Sequence, residues 1–269
     1  MEDAFDDVDD LYTAGGPKTG LLFEETVLPS PNSTDLLRTT RTDYMLRFDS
    51  RTTHIAELFQ ENTKLTPYSP LRPPDGEEEL SHAKKFYFST SYRMQEDDVE
   101  PGMMDRVRLR HADLPAELAR LMGPLGKDGP LASLLYGVDL FLLHRGRLLR
   151  VIPYTDGLWV EKRMLPGEEE LFRRSILRQP AEAIAQSTAF LCVVAVPWRH
   201  MMVLGPRGYR HMMLEAGNLL AQLQFIANQL KLSPRVSLDF YDARVDKVLL
   251  LDGTERTTLA IIALHGGAL

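Results

Sequence analysis

One long stretch, Gly208–Leu232, constrains the fold more than any other part of the 269-residue chain. Its apolar residues recur at steps of three and four: Met212, Ala216, Leu219, Leu220, Leu223, Ile226, Ala227 and Leu230. This spacing predicts a helix of about six turns with one broad apolar face. Glu215, Asn218, Gln222 and Gln229 form a polar stripe with the same period. The stripe predicts either an interface or solvated face, or the lining of a substrate cleft.

The other apolar segments predict strands that alternate with shorter helices. Strands are predicted in KKFYFSTSYRM, on both sides of a hairpin turn at His144–Arg147, and in AFLCVVAVPW, RVSLDFY and TTLAIIALHGG. Helices are predicted at Thr53–Asn62, in LPAELARLM, at Glu168–Leu177 and in DARVDKVLLL. The run AFLCVVAVPW is typical of a strand covered on both faces. The alternation indicates an α/β or α+β domain with a buried sheet.

Shifts in composition divide the chain into three parts. Residues 1–20 are acidic and then glycine-rich, which predicts a flexible terminus. Residues 21–100 carry short apolar pieces, prolines and acidic runs, and they predict an N-terminal extension for dimerisation or peptide binding. The main domain is predicted at residues 101–269.

Charge and composition exclude several classes of function. The net charge of −7 argues against a nucleic-acid partner, because there is no basic surplus to neutralise phosphates. No run approaches about 20 apolar residues, so no membrane span is predicted. The acidic start lacks the pattern of a signal peptide, which predicts a cytoplasmic protein. The single cysteine, Cys192, excludes an intramolecular disulfide and is predicted to be a buried strand residue.

Few motifs for chemistry are present. The sequence has no phosphate-binding loop, dinucleotide fingerprint or cysteine pair, and its seven histidines are scattered, so no metal site is predicted. Arg106, Arg108 and Arg110 alternate, so on a strand they would share one face and either clasp a phosphate or form a solvated edge. Arg199 and His200 follow a buried strand, a frequent place for functional groups in sheets. Residues at such a position are more often simply the end of the strand.

The wording of four segments resembles one known family. GPRGYRHMMLEAGNLLAQLQFIANQLKL is similar to the GxRGYRxxLLEAGHxxQNLxLxAxxLGL segment of the SagB-type (streptolysin-type) branch of the nitroreductase superfamily. PLASLLYG resembles that family's PSAGALYP, FLCVVAVP its central strand, and LSPRVSLDFYDARVDKVLLLDG its GAxPIGGFDDxxLxxLLGLDG. The segments follow the family's order, and the resemblance covers roughly residues 50–269.

The resemblance implies an α+β fold with a central mixed or antiparallel sheet flanked by helices, and a homodimer that binds FMN at the subunit interface. Members of this branch oxidise thiazolines and oxazolines to thiazoles and oxazoles in ribosomally made peptide natural products (RiPP biosynthesis). The implied partners are a leader-bearing peptide substrate, a cyclodehydratase or other peptide-modifying enzyme, and a homologue for a heterodimer. In such enzymes the flavin carries the redox chemistry and the protein supplies orientation and a proton acceptor.

The sequence departs from the family's pattern at positions that matter for catalysis. The family's lysine–tyrosine pair is replaced by Val203 and Leu204, which cannot transfer a proton. The catalytic candidates that remain are His200 as the base and Arg199 as a poorer one. The family's glycine pair beside the flavin ring is replaced by Leu238 and Asp239, whose side chains would crowd the ring edge and add negative charge.

The resemblance also assigns flavin contacts, and the N-terminus of the long helix adds Arg207 as a candidate for binding a phosphate or carboxylate. These are predicted at Arg106, Arg108, Arg110, Ser133, Arg207, Ser237, Leu238 and Asp239. Two hypotheses follow. The chain is either an FMN-dependent dehydrogenase of azoline rings, or a degenerate, flavin-free subunit that acts as a partner or scaffold in a peptide-modifying complex.

Overall fold

A computed structural model of the chain describes residues 76–96, 108–126 and 129–266. All of them belong to one compact unit, Thr63–Leu269. The predicted flexible terminus, the predicted helix at Thr53–Asn62 and the phosphate candidate Arg106 lie outside the described residues. The predicted three-part division of the chain therefore stays a prediction.

The described residues form an antiparallel sheet of seven strands. The strands are β1 (Arg108–Arg110), β2 (Val138–His144), β3 (Arg147–Val151), β4 (Gly157–Arg163), β5 (Ala189–Ala195), β6 (Arg235–Ser237) and β7 (Thr257–Leu264). Their order across the sheet is β1-β4-β3-β2-β5-β7-β6, and every neighbouring pair is antiparallel. This arrangement confirms the predicted α+β class with a central sheet flanked by helices.

Seven α-helices lie in the described part of the chain. They are α1 (Gly76–Glu96), α2 (Ala116–Met122), α3 (Pro166–Arg174), α4 (Ala181–Ala185), α5 (Pro197–Leu204), α6 (Gly208–Gln229) and α7 (Asp242–Val248). The long periodic stretch is thus a helix, α6, as its spacing predicts. Among these helices there is none with the length and apolar character needed to cross a membrane.

Both faces of the sheet are covered, and the two central strands are buried along their whole length. Alternate residues of β2 enter separate cores: Leu140 and Leu142 pack with the apolar face of α6, whereas Phe141 and Leu143 pack with residues of α3 and α7. Cys192 on β5 is fully buried, and this burial raises the pKa of its thiol. The prediction of a strand covered on both faces is therefore confirmed.

The predicted hairpin turn joins β2 to β3. His144 pairs with Arg147, and the two residues between them, Arg145 and Gly146, have φ values of 49° and 67°. Positive φ at both central positions is what a type I′ turn requires, and this turn matches the twist of the flanking strands.

Two strand predictions need correction. The segment KKFYFSTSYRM is helical and lies within α1. Its aromatic, serine and threonine residues favour a strand locally, but tertiary contacts of Tyr87 and Phe88 with other parts of the domain override that preference. In RVSLDFY only Arg235–Ser237 forms a strand, and Phe240 adds a single isolated bridge to Ile176.

Two glycines allow α5 and α6 to approach closely. Gly205, between the helices, has φ 59° and ψ −152°, a conformation that side chains disfavour. A Cβ on Gly208 would lie 2.5 Å from both the carbonyl carbon and the carbonyl oxygen of His200. The glycines of the best-matched motif therefore serve the packing of two helices.

We predict that Gly208→Ala lowers the free energy of unfolding by about 1–3 kcal/mol, because the new methyl group would meet backbone atoms that cannot rotate away. Gly217→Ala is the matched control, since Gly217 lies in the same helix and its Cβ would meet nothing within 4 Å. We expect the control to stabilise the chain by about 0.5–1 kcal/mol. Urea unfolding of the three proteins measures both effects, and equal stability of the two variants would contradict the packing role.

Candidate functional site

The catalytic candidate His200 is enclosed on several sides. It lies on α5 and is fully buried. A Cβ on Gly137 would lie 2.6 Å from its Cε1 atom, so the ring rests directly on the Gly137 backbone. The ring of Tyr136 meets the His200 ring edge to face, with 4.9 Å between their centroids. A substrate cannot reach the imidazole in this arrangement.

Glu215 of α6 joins His200 to helix α1. Its Oε2 atom lies 3.2 Å from Nε2 of His200, which is close enough for an ion pair but lacks the alignment of a hydrogen bond. Its Oε1 atom accepts a hydrogen bond from Nζ of Lys84 on α1. We call Lys84, Tyr136, His200 and Glu215 the buried cluster.

The charges of this cluster are coupled. Burial alone would raise the pKa of the Glu215 carboxyl, but His200 and Lys84 outweigh it and hold that pKa below its ordinary value. Burial raises the pKa of Tyr136, whose hydroxyl donates a hydrogen bond to the carbonyl of Arg199 at 2.9 Å. Glu215 is therefore an anion and Tyr136 a neutral phenol near neutral pH.

Arg199, the second catalytic candidate, is held in a structural ion pair. Its guanidinium donates to Oδ1 of Asp139 on β2 at 2.9 Å, and Arg256, just before β7, donates to Oδ2 at the same distance. Burial would raise the pKa of Asp139, but the two guanidinium groups outweigh it and keep that pKa low. Arg199 also stacks on the ring of Tyr87, 4.6 Å from its centroid. A guanidinium bound in this way does not accept a proton.

The predicted flavin contacts fall into three places within one chain. Arg108 and Arg110 lie on β1 at one edge of the sheet, whereas Ser237 lies on β6 at the other edge. Six strand spacings of about 4.8 Å separate the two edges, or about 29 Å in total. Ser133 and Arg207 are half-buried in turns that contact α6.

The groups at the β6 edge are poorly suited to hold a flavin. The Ser237 hydroxyl donates to the carbonyl of Asp239 at 2.9 Å, so it is occupied within its own turn. The side chain of Leu238 is 66% exposed, and the Asp239 carboxylate faces Arg178 at 3.6 Å. Neither position leaves the bare backbone that a glycine pair would offer to the ring. The described residues at this edge therefore do not offer FMN the setting that the family's glycine pair provides.

The polar stripe of α6 is split between two environments. Glu215 points into the buried cluster, whereas Asn218 and Gln222 are exposed. No group of three or more metal-binding side chains occurs in the part of the chain that the structure describes.

Sequence reasoning found His200 and Glu215 but missed Lys84, Tyr136, Asp139 and Arg256. The signal for Lys84 was available: in a helix over residues 76–96, Leu80, Ala83 and Lys84 share the face that carries Phe88. The strand interpretation of this segment hid that pattern. Nothing in the spacing of Asp139 and Arg256 points to their pairing, because 117 residues separate them.

Comparisons with known proteins identify the fold. A candidate nitroreductase from Anabaena variabilis matches with a TM-score of 0.59 and 17% identity, over 79% of this chain and 46% of that one. A chain of the E. coli microcin synthetase McbBCD complex with truncated pro-MccB17 bound matches with a TM-score of 0.48 and 14% identity, over 82% of this chain and 100% of that one. A candidate nitroreductase from Ralstonia eutropha matches with a TM-score of 0.45 and 13% identity, over 64% of this chain and 87% of that one.

No protein-family model matches the sequence, and no curated protein does. The Anabaena protein shows that this chain has the nitroreductase fold, and at 17% identity it shows the fold alone. The chain spans less than half the length of that protein.

We predict that Glu215→Gln lowers the free energy of unfolding by about 1.5–3 kcal/mol at pH 7, because it removes charge-assisted contacts to Lys84 and His200. The folded-state pKa of Glu215 lies below the ordinary value of 4.5, so its contribution is complete above pH 4.5 and is lost as the pH falls through the folded-state pKa. The difference between wild type and variant should therefore shrink in acid. Urea unfolding across a pH series measures it.

Glu170→Gln is the control for this experiment, because the Glu170–Arg174 pair lies on the surface of α3 with both side chains more than half exposed. We expect a change of less than about 0.5 kcal/mol from this variant. A Glu215→Gln effect that is equally small, or that does not change with pH, would show that the buried cluster contributes nothing through charge.

Proposed function

We propose that this chain is a flavin-free subunit with the nitroreductase fold, which serves as a partner or scaffold in a peptide-modifying complex. The enclosure of His200 carries the proposal. The only histidine that the family resemblance offers as a base is fully buried between Gly137, Tyr136 and Glu215, where it positions helices instead of meeting a substrate. Arg199 is bound to Asp139 and cannot replace it.

The β6 edge supports the same proposal. The family resemblance puts Leu238 and Asp239 beside the flavin ring. A leucine side chain at this position would crowd the ring edge, and a carboxylate would oppose the negative charge that a flavin gains on reduction. Both side chains project from the surface, so neither is folded into the protein interior and away from the place where the ring would lie.

The setting in peptide modification rests on the four segments that resemble the SagB-type branch, in the family's order. The partners we propose are a cyclodehydratase or other peptide-modifying enzyme, a leader-bearing peptide, and an active homologue that would form a heterodimer with this chain. A subunit of this kind keeps the surfaces of its fold while the chemistry is carried by its partners.

One observation favours a second candidate function, FMN-dependent azoline dehydrogenation by a homodimer. Arg110 is exposed on the edge strand β1, and Arg108 lies two residues before it, so the two positions share one face of the sheet as a phosphate clasp requires. A second copy would have to supply the rest of the site, since the described residues of one chain place the predicted contacts at opposite edges of the sheet.

Flavin binding separates the two candidates. We expect the purified chain to be colourless, to release no FMN on denaturation and to take up no added FMN in equilibrium dialysis, because Leu238 and Asp239 would crowd the ring and oppose its charge in a dimer as much as in one chain. Arg110→Ala should behave as the wild type does. Released FMN, together with its loss in Arg110→Ala, would overturn the flavin-free proposal and support the dehydrogenase.

The scaffold role needs a second readout. When the chain is produced together with a cyclodehydratase and an active homologue from the same organism, we expect it to co-purify with one of them. Arg110→Ala should co-purify equally well. A chain that binds neither FMN nor these partners would contradict both candidate functions.

A further inference from the structure

Within residues 78–89, helix α1 contacts the rest of the domain through a narrow stripe. The residues that face inward recur at steps of three and four, and they are Leu80, Ala83, Lys84, Tyr87 and Phe88. Of these, Phe88 alone is buried, and on the opposite side Phe86 is 74% exposed. Over residues 78–89, the part of α1 whose side chains the structure describes, this is little buried apolar surface.

Three kinds of contact hold the stripe in place. Lys84 pairs with Glu215 of α6, and its Nζ lies 5.7 Å from the centroid of the Tyr136 ring. Tyr87 stacks under the guanidinium of Arg199. Phe88 packs on Tyr154, with 4.2 Å between ring centroids. Of these contacts, the ion pair between Lys84 and Glu215 is the charged one that joins the described side chains of α1 to α6.

The local sequence of α1 disagrees with its structure. The run FYFSTSY is rich in residues that favour strands, so its helical state depends on tertiary contacts more than on intrinsic preference. Tyr154, the residue against which Phe88 packs, has a φ of 59°, which a residue with a side chain holds only when its surroundings impose it. The first feature belongs to α1 and makes its helical state conditional on docking, whereas Tyr154 belongs to the connection between β3 and β4 that receives Phe88.

We propose that α1 is a releasable strap, which opens as a unit from α5 and α6 and uncovers a binding pocket for an ammonium group. The pocket consists of the Glu215 carboxylate and the ring of Tyr136, and Lys84 of the strap fills it in the closed state. A carboxylate beside an aromatic ring is a recognised combination for a cationic side chain. The ligand of the open state is therefore a lysine side chain of a partner polypeptide, which would replace Lys84.

Hydrogen exchange followed by mass spectrometry tests the release. In the wild-type chain we expect amides of α1 to exchange at least tenfold faster than those of β5, since they open without global unfolding. Lys84→Met should accelerate exchange in α1 further and leave β5 unchanged. Lys85→Met is the matched control, because Lys85 is exposed on the same helix, and it should behave as the wild type does. Exchange of α1 as slow as that of β5 in the wild type would overturn the proposal.

Chemical nitration gives an independent readout. Tyr136 is 5% exposed beneath the strap, so tetranitromethane should modify it several-fold faster in Lys84→Met than in Lys85→Met. Equal rates in the two variants would overturn the proposal, and unchanged exchange in β5 shows that the fold is intact in each.

A synthetic peptide of residues 76–96 tests the pocket itself. Labelled with a fluorophore, it should bind the Lys84→Met chain at least tenfold more tightly than the wild-type chain, in which the strap competes. The same peptide carrying Lys84→Met should lose most of this affinity. If the two peptides bind the Lys84→Met chain equally, the pocket does not recognise an ammonium group and the proposal is wrong.

Discussion

The close approach of α5 to α6 at Gly208 is the constraint on which the rest of the site depends. It sets the backbone of His200 against the start of α6, and the imidazole then rests on Gly137 at the start of β2. From that position the ring meets Glu215 on the next turns of α6. A single missing side chain thus determines where the buried cluster forms and which carboxylate completes it.

The best-matched sequence motif is explained by this packing. Gly205 adopts a positive φ between the helices, and Gly208 lets the two backbones meet because it has no Cβ. The packing of α5 on α6 requires both glycines whether or not a flavin is bound. A chain with Val203 and Leu204 where the SagB-type family has its lysine–tyrosine pair can therefore still keep the motif. The resemblance is informative about architecture and much less so about catalysis.

The elements with strong periodicity were predictable from the sequence, and those fixed by distant contacts were not. The spacing of α6 and the continuous apolar run of β5 each identified a buried element, and the hairpin turn followed from two residues. Helix α1 was missed because Phe88 packs on side chains far away in the sequence. His200 was found from its place after a strand, but its burial depends on Gly137 and Tyr136, which no local pattern connects to it.

The pairing of Asp139 with Arg199 and Arg256 has an evolutionary consequence. One buried carboxylate here receives two guanidinium groups, from α5 and from the residue before β7. Loss of Asp139 would leave two guanidinium groups facing each other without a counter-charge, whereas loss of one arginine would still leave a single ion pair. Replacement of all three by apolar residues would remove the charges together. We therefore expect Asp139 to be lost among related chains only where both arginines have changed, whereas either arginine can vary alone while the other remains.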